Sequence, residues 1–229
     1  MLEALREEVL EANLEVVRRG LVLYTWGNAS GIDRARGLVV IKPSGVAYSE
    51  LKASDLVIVD LEGKPVEGTL RASSDLPTHL VLYRAFAGVG GIVHTHSRAA
   101  TAWAQANREI PCFGTTHADY FFGSIPVTDA LTEDEVRGKY EENTGHAIVR
   151  RFAGLDPLDM PGVLVAGHAP FTWGPTPSDA ARNAIILEEV AELSWRTIAL
   201  HPESRGIHQC VLNKHFKRKH GPDAYYGQK

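Results

Sequence analysis

Cysteine is scarce in this chain: 229 residues contain only Cys112 and Cys210. That excludes a disulfide framework and fits a reducing cytoplasm. Long apolar runs are missing too, and nothing approaches the ~18 residues needed to span a bilayer. The opening Met1-Leu2-Glu3-Ala4-Leu5-Arg6 lacks the apolar core of a secretion signal, so a soluble cytoplasmic protein is expected. Positive charge is not in excess either. A net charge of −4 gives no general attraction for nucleic acid or acidic membranes, and neither is expected as a partner. The one basic run, Lys214 to His220, reads as a solvated helix face or as a holder of phosphate. Repeats, low-complexity stretches and Ser/Pro-rich linkers are absent. With 44% apolar and 23% charged residues, the chain can bury a sizeable core, and one domain spanning residues 1–229 is expected.

Leu2, Leu5, Val9, Ala12 and Val16 recur at three- and four-residue steps, which predicts a helix ending near Gly20. Leu38–Ile41 and Leu56–Asp60 read as strands, with Glu62-Gly63-Lys64 as a turn. Helices are expected from Pro77 to Phe86 and from Arg98 to Ala106, and a short edge strand at Ile125-Pro126-Val127. Thr132-Glu133-Asp134-Glu135 is a capping box, and Thr176-Pro177-Ser178-Asp179 opens a long helix through Ile198. A last helix is expected over Asn213–His220. Helices and strands mix without strict alternation. That predicts an α/β fold with a central, mostly antiparallel or mixed sheet flanked by helices.

The most informative segment is Gly91-Ile92-Val93-His94-Thr95-His96. Side chains alternate along a strand, so His94 and His96 point the same way and can share a metal ion. His168 follows a second apolar run, Val163-Leu164-Val165. Three histidines with an open fourth position suit catalytic zinc. Asp75, before a helix, reads as a cap or as a carboxylate near the metal. Three loops, around Gly27-Asn28, Lys42-Pro43-Ser44-Gly45 and Ser73-Ser74, offer bare N–H groups and hydroxyls suited to an anion, with Lys42 adding charge. Asp119, in Gly114-Thr115-Thr116-His117-Ala118-Asp119-Tyr120, reads as a proton carrier or as a loop residue bonding its own backbone. Tyr225-Tyr226 reads as a loose tail.

In this order, these segments resemble the class II aldolase and epimerase family, and within it the L-ribulose-5-phosphate 4-epimerase branch. The resemblance runs from Leu10-Glu11-Ala12-Asn13-Leu14 to Ala224-Tyr225-Tyr226-Gly227-Gln228 and covers essentially the whole chain. It implies one divalent metal per subunit, zinc first and Mn2+ or Co2+ as alternatives, on His94, His96 and His168 with Asp75 beside it. It implies a phosphorylated ketopentose held at Gly27, Asn28, Ser44, Gly45, Ser73 and Ser74, and the charge of Lys42 is expected to join them. It also implies proton transfer by Asp119 and Tyr226 from a neighbouring subunit of a four-fold-symmetric homotetramer, with Thr115, Glu141, His215 and Arg218 lining that site. One departure stands out: the wider family often has His-Gly where this chain has His168-Ala169.

The expected activity is epimerisation at C4 of a ketopentose phosphate. Its nearest rival is a fuculose-phosphate type of aldolase, whose members usually carry Glu where Asp75 stands. A non-catalytic interaction domain like the adducin head is disfavoured by the three histidines, and a small β-barrel metal protein by the helical stripes at both ends.

Overall fold

The computed structural model describes residues 1–222 and 224–227. The apolar stripe near the start forms helix α1 (Glu3–Arg18), burying Val9, Ala12 and Val16. Strands β1 (Asn28–Asp33), β2 (Leu38–Ile41), β3 (Val57–Asp60) and β4 (Pro65–Glu67) follow, then helix α2 (Leu76–Ala85), strand β5 (Gly91–His94) and helix α3 (Arg98–Gln105). Next come short helices α4 (Thr115–Ala118) and α5 (Glu133–Arg137), helix α6 (Tyr140–Arg151), and strands β6 (Gly162–Leu164) and β7 (Pro170–Gly174). The long α7 (Pro177–Leu200) and α8 (Gln209–Lys217) complete the order.

Among the described residues the strands form one seven-stranded sheet, ordered β4-β3-β2-β1-β5-β7-β6, and each neighbouring pair is antiparallel. Period-two alternation sends its side chains into two cores. Val39, Ile41, Val57, Val59 and Ile92 face α2, α3 and α6. Val40, Ile58 and Val93 face α1. Helix α7 serves both, through Ala180, Ala181 and Ala184 on one side and Leu187, Val190 and Ala191 on the other. No helix among the described residues is long and apolar enough to cross a membrane.

Both capping signals form. Thr132 accepts from the Glu135 amide while Glu135 accepts from the Thr132 amide, and Thr176 accepts from the Asp179 amide. Helix α5 is nevertheless short, breaking at Gly138 before α6 begins. The Ile125–Val127 segment is not a strand but makes isolated bridges, Ile110 to Ile125 and Val127 to Leu164. The last helix starts at Gln209, four residues earlier than the charge run suggested. The Trp26–Ser30 stretch is only half a loop, because β1 begins at Asn28. Its small residues carry no strand signature; the strand forms because β2 and β5 pair with both of its edges.

Candidate metal centre and substrate pocket

Strand β5 lies inside the sheet, and the chain leaves it at His94. Cross-strand pairing sets His94 opposite Asn28 on one side and Phe171 on the other. A tight turn between β6 and β7, closed by Val165 N–H donating to the Ala169 carbonyl, carries His168 back over this edge. Ring centroids of His94, His96 and His168 lie 4.9 to 5.0 Å apart, and one nitrogen from each falls within 4.8 Å of the others.

The donor set fits a divalent cation. His94 Nδ1 sits 2.9 Å from the Pro170 carbonyl, which only accepts, so the proton is on Nδ1 and Nε2 keeps its lone pair. That Nε2 lies 3.1 Å from His96 Nε2, close to the separation of about 3.3 Å that tetrahedral Zn–N bonds of ~2.0–2.1 Å require. His168 Nδ1 is buried with no hydrogen-bond partner. Burial and the neighbouring imidazoles push His168 down to about 4 and hold His96 below its ordinary value. At neutral pH these two rings offer lone pairs rather than charge.

Asp75 lines the same pocket but stands outside the histidine group. Its side chain does not cap α2. Instead Oδ2 accepts from Asn28 Nδ2 at 2.7 Å. Burial acts to raise this carboxyl, yet the fields of His94 and His79 and the Asn28 bond hold it below the usual range. Asn28 also donates to Ser73 Oγ at 3.0 Å, tying two anion loops together. The third joins through Ser73 N–H to the Lys42 carbonyl and Ser44 N–H to the Arg71 carbonyl. Gly27 is required here: its φ is +100°, and a Cβ would stand 2.7 Å from the His94 carbonyl oxygen.

All seven loop residues expected to contact substrate line one cavity of ≈ 540 Å³ with the histidines and Glu141. Lys42 lines it as a buried group. Its Nζ donates to the Val46 and Pro43 carbonyls and lies 4.6 Å from the centre of the Tyr48 ring, while burial pushes it down to about 8. Tyr48 in turn donates to the Gly27 carbonyl. Lys42 therefore fastens two loops as well as offering charge.

Asp119, Tyr226, Thr115, His215 and Arg218 do not line this cavity. Four of them form a second cluster. Asp119 Oδ2 accepts from Arg218 at 2.6 Å, and Oδ1 accepts from Arg218 and pairs with His215 Nδ1, both at 3.0 Å. Lys219 Nζ lies 3.3 Å away. Burial acts against the ionised carboxyl, but these hydrogen bonds hold it below its ordinary range. Tyr226 lies against Arg218 and Lys219, 61% exposed. Thr115 is exposed, with its carbonyl accepting from the Asp119 amide. Gln228, where the resemblance ends, lies outside the described residues.

Ala169 takes the place of the family glycine without strain. The left-handed backbone falls on Gly167 (φ +68°), and Ala169 is not among the residues with positive φ. One residue of the site and one buried beside it escape a reading of the sequence. Tyr140 lines the cavity with its ring 6.3 Å from His168, and only the helix break at Gly138 hints at it. The fully buried His79, whose Nδ1 meets Ser30 Oγ at 2.7 Å, passes in sequence for one more residue of an apolar helix.

Solved structures share this fold. An L-fuculose 1-phosphate aldolase superposes with a TM-score of 0.79 at 23% identity, over 94% of this chain and 95% of that one. YgbL from Klebsiella pneumoniae, a candidate aldolase/epimerase/decarboxylase, gives 0.74 at 27% identity over 93% and 99%. L-fuculose-1-phosphate aldolase from Thermus thermophilus gives 0.70 at 24% identity over 89% and 100%. The sequence model of the Class II Aldolase and Adducin N-terminal domain matches residues 7–195, and the chain belongs to that family.

Proposed function

We propose that this protein is an isomerase that interconverts L-ribulose 5-phosphate and D-xylulose 5-phosphate, acting as a cytoplasmic homotetramer. The supporting observation is one cavity that sets three converging imidazoles beside three anion-binding loops. The C4 hydrogen of a 2-ketose is not next to the carbonyl, so inversion proceeds by breaking and remaking the C3–C4 bond. A base takes the C4 hydroxyl proton, and the C3–C4 electron pair moves toward C2. The products are the enediolate of dihydroxyacetone and glycolaldehyde phosphate. The aldehyde turns its other face, the bond re-forms, and the new C4 oxygen receives a proton. A divalent cation on His94, His96 and His168, zinc being the natural choice for this donor set, would supply Lewis acidity for the charge gathering at the carbonyl oxygen.

The loops at Gly27-Asn28, Ser44-Gly45 and Ser73-Ser74 hold the phosphate end. Their binding energy, remote from the reacting bond, retains the fragment while its aldehyde rotates. Two proton carriers are needed because the C4 oxygen lies on opposite sides in the two epimers. Asp119 and Tyr226 take these roles from a neighbouring subunit; within their own chain neither lines the cavity. The Asp119–His215 pair can pass a proton through one hydrogen bond. Asp75 is tied to Asn28 beside the histidines and is left out of the proton-transfer roles.

The rival reading is an aldolase that releases the aldehyde, in line with the names of the superposed enzymes. Purified protein is incubated with L-ribulose 5-phosphate and followed by a coupled assay for D-xylulose 5-phosphate, with and without chelator. Chelator-sensitive D-xylulose 5-phosphate without free glycolaldehyde phosphate supports the epimerase. Accumulating aldehyde identifies the aldolase instead.

A further inference from the structure

Helix α3 starts two residues after His96, yet its own N-cap residue, Ser97, makes no side-chain cap bond. The cap comes from elsewhere. Glu188, on α7, accepts from the Ala99 amide through Oε1 at 2.8 Å and from the Ala100 amide through Oε2 at 2.9 Å. These are the second and third helical N–H groups, the ones a local Ser or Asp cap would satisfy. The carboxylate also sits at the positive end of the helix dipole. One turn further along α7, the Ala191 carbonyl accepts from Trp103 Nε1 at 3.0 Å. At its far end α3 offers the Ala104 carbonyl to the Gly167 amide at 2.9 Å, next to His168. Helix α3 thus spans the gap between two metal-ligand segments and is bolted along its length to α7.

We propose that Glu188 is a positioning residue for the three-histidine centre: by fixing the start of α3 it sets the spacing of His96 and His168. This rests on the metal-binding reading of those histidines. Its charge-assisted, bidentate grip on two backbone amides is stronger than a neutral cap and resists rotation of the helix start. Without it, two N–H groups beside His96 lose their partner, and the turn carrying that ring is freed. The centre then has to order its ligands at the moment a cation binds, and affinity falls.

The test is zinc affinity, measured by competition with a chromophoric chelator on purified wild type, Glu188→Ala and Glu188→Gln, with urea unfolding of the same metal-free proteins alongside. Affinity is expected to fall about 10–100-fold in Glu188→Ala. Glu188→Gln, which keeps one acceptor oxygen, should recover part of the loss. Should the alanine variant fail to fold, the glutamine variant carries the test, expected to bind zinc several-fold more weakly than wild type. Folded variants with lowered stability but wild-type zinc affinity would reduce Glu188 to a purely structural role and overturn the proposal. A wild type that takes up no zinc overturns the metal reading and this proposal together.

Discussion

The histidine cavity and the Asp119 cluster are built on opposite plans. The first is fixed by sheet pairing: His94 is locked between Asn28 and Phe171 across two strands, and its Nδ1 is pinned by a backbone carbonyl. The second is held by charge, with Arg218, His215 and Lys219 converging on one carboxylate beside a mostly exposed tyrosine. A cation needs ligands placed to a fraction of an ångström, which a sheet provides. The Asp119 carboxylate is itself buried, and the basic end of α8 holds it in place. On the proposed reading, each chain carries two incomplete halves of a site.

Removing a ligand should break the first half outright. His96→Ala is expected to bring bound zinc and turnover to background, read by elemental analysis and the coupled assay. Full activity with metal retained would refute the assignment. Asp119→Asn should cut epimerisation by about 10²–10⁴-fold, the usual worth of a positioned acid or base, while leaving metal content at the wild-type level. The comparison sharpens when these two inactive proteins are unfolded together and reassembled. If sites are shared between subunits, about a quarter of those in a random one-to-one mixture regain both halves, and activity returns. No recovery from correctly assembled mixtures would place each site within one chain.

Smaller effects concern stability. His117 is buried beside the Asp119 turn, and burial pushes it down to about 4 from an ordinary 6.5. The unfolded chain therefore binds this proton at a higher pH than the folded one. Its stability contribution is complete above pH 6.5 and is lost progressively as pH falls from there to about 4. By pH 4 the loss approaches about 3 kcal/mol, and buried His79, pushed to about 3, acts in the same direction. Urea midpoints of metal-free protein should fall steeply between pH 6.5 and 4.5, and less steeply in His117→Gln. Mildest of all, Thr132→Ala should cost about 1 kcal/mol by removing the cap of α5, with activity unchanged.

Much of the site was legible because its chemistry is local. Small-residue loops and caps are short-range signals that reappear in the folded chain, and the two histidines of His-x-His do converge, although the strand ends at His94 and His96 lies beyond it. The seams between segments were not legible. Strand β1 was half hidden because Asn28 to Gly31 is small and polar, and only its two sheet neighbours make it extended. Tyr140 enters the cavity through a helix break, and Glu188 reaches α3 across 88 and 89 residues of chain. Such couplings depend on three-dimensional closure, which no window of sequence contains. Lys42 shows an intermediate case: its charge was visible, its fastening of two loops through Tyr48 was not.

The register of β1 against β5 has a wider meaning. Asn28 and His94 are cross-strand partners, and everything that grips a cation lies on one side of that pair. The parts suited to the sugar's anionic end come from β1, the turn after β2 and the start of α2. The two halves are locked where they meet, because Gly27 has no room for a Cβ beside the His94 carbonyl. A new cradle fitted beside the same three imidazoles would therefore have to keep that glycine.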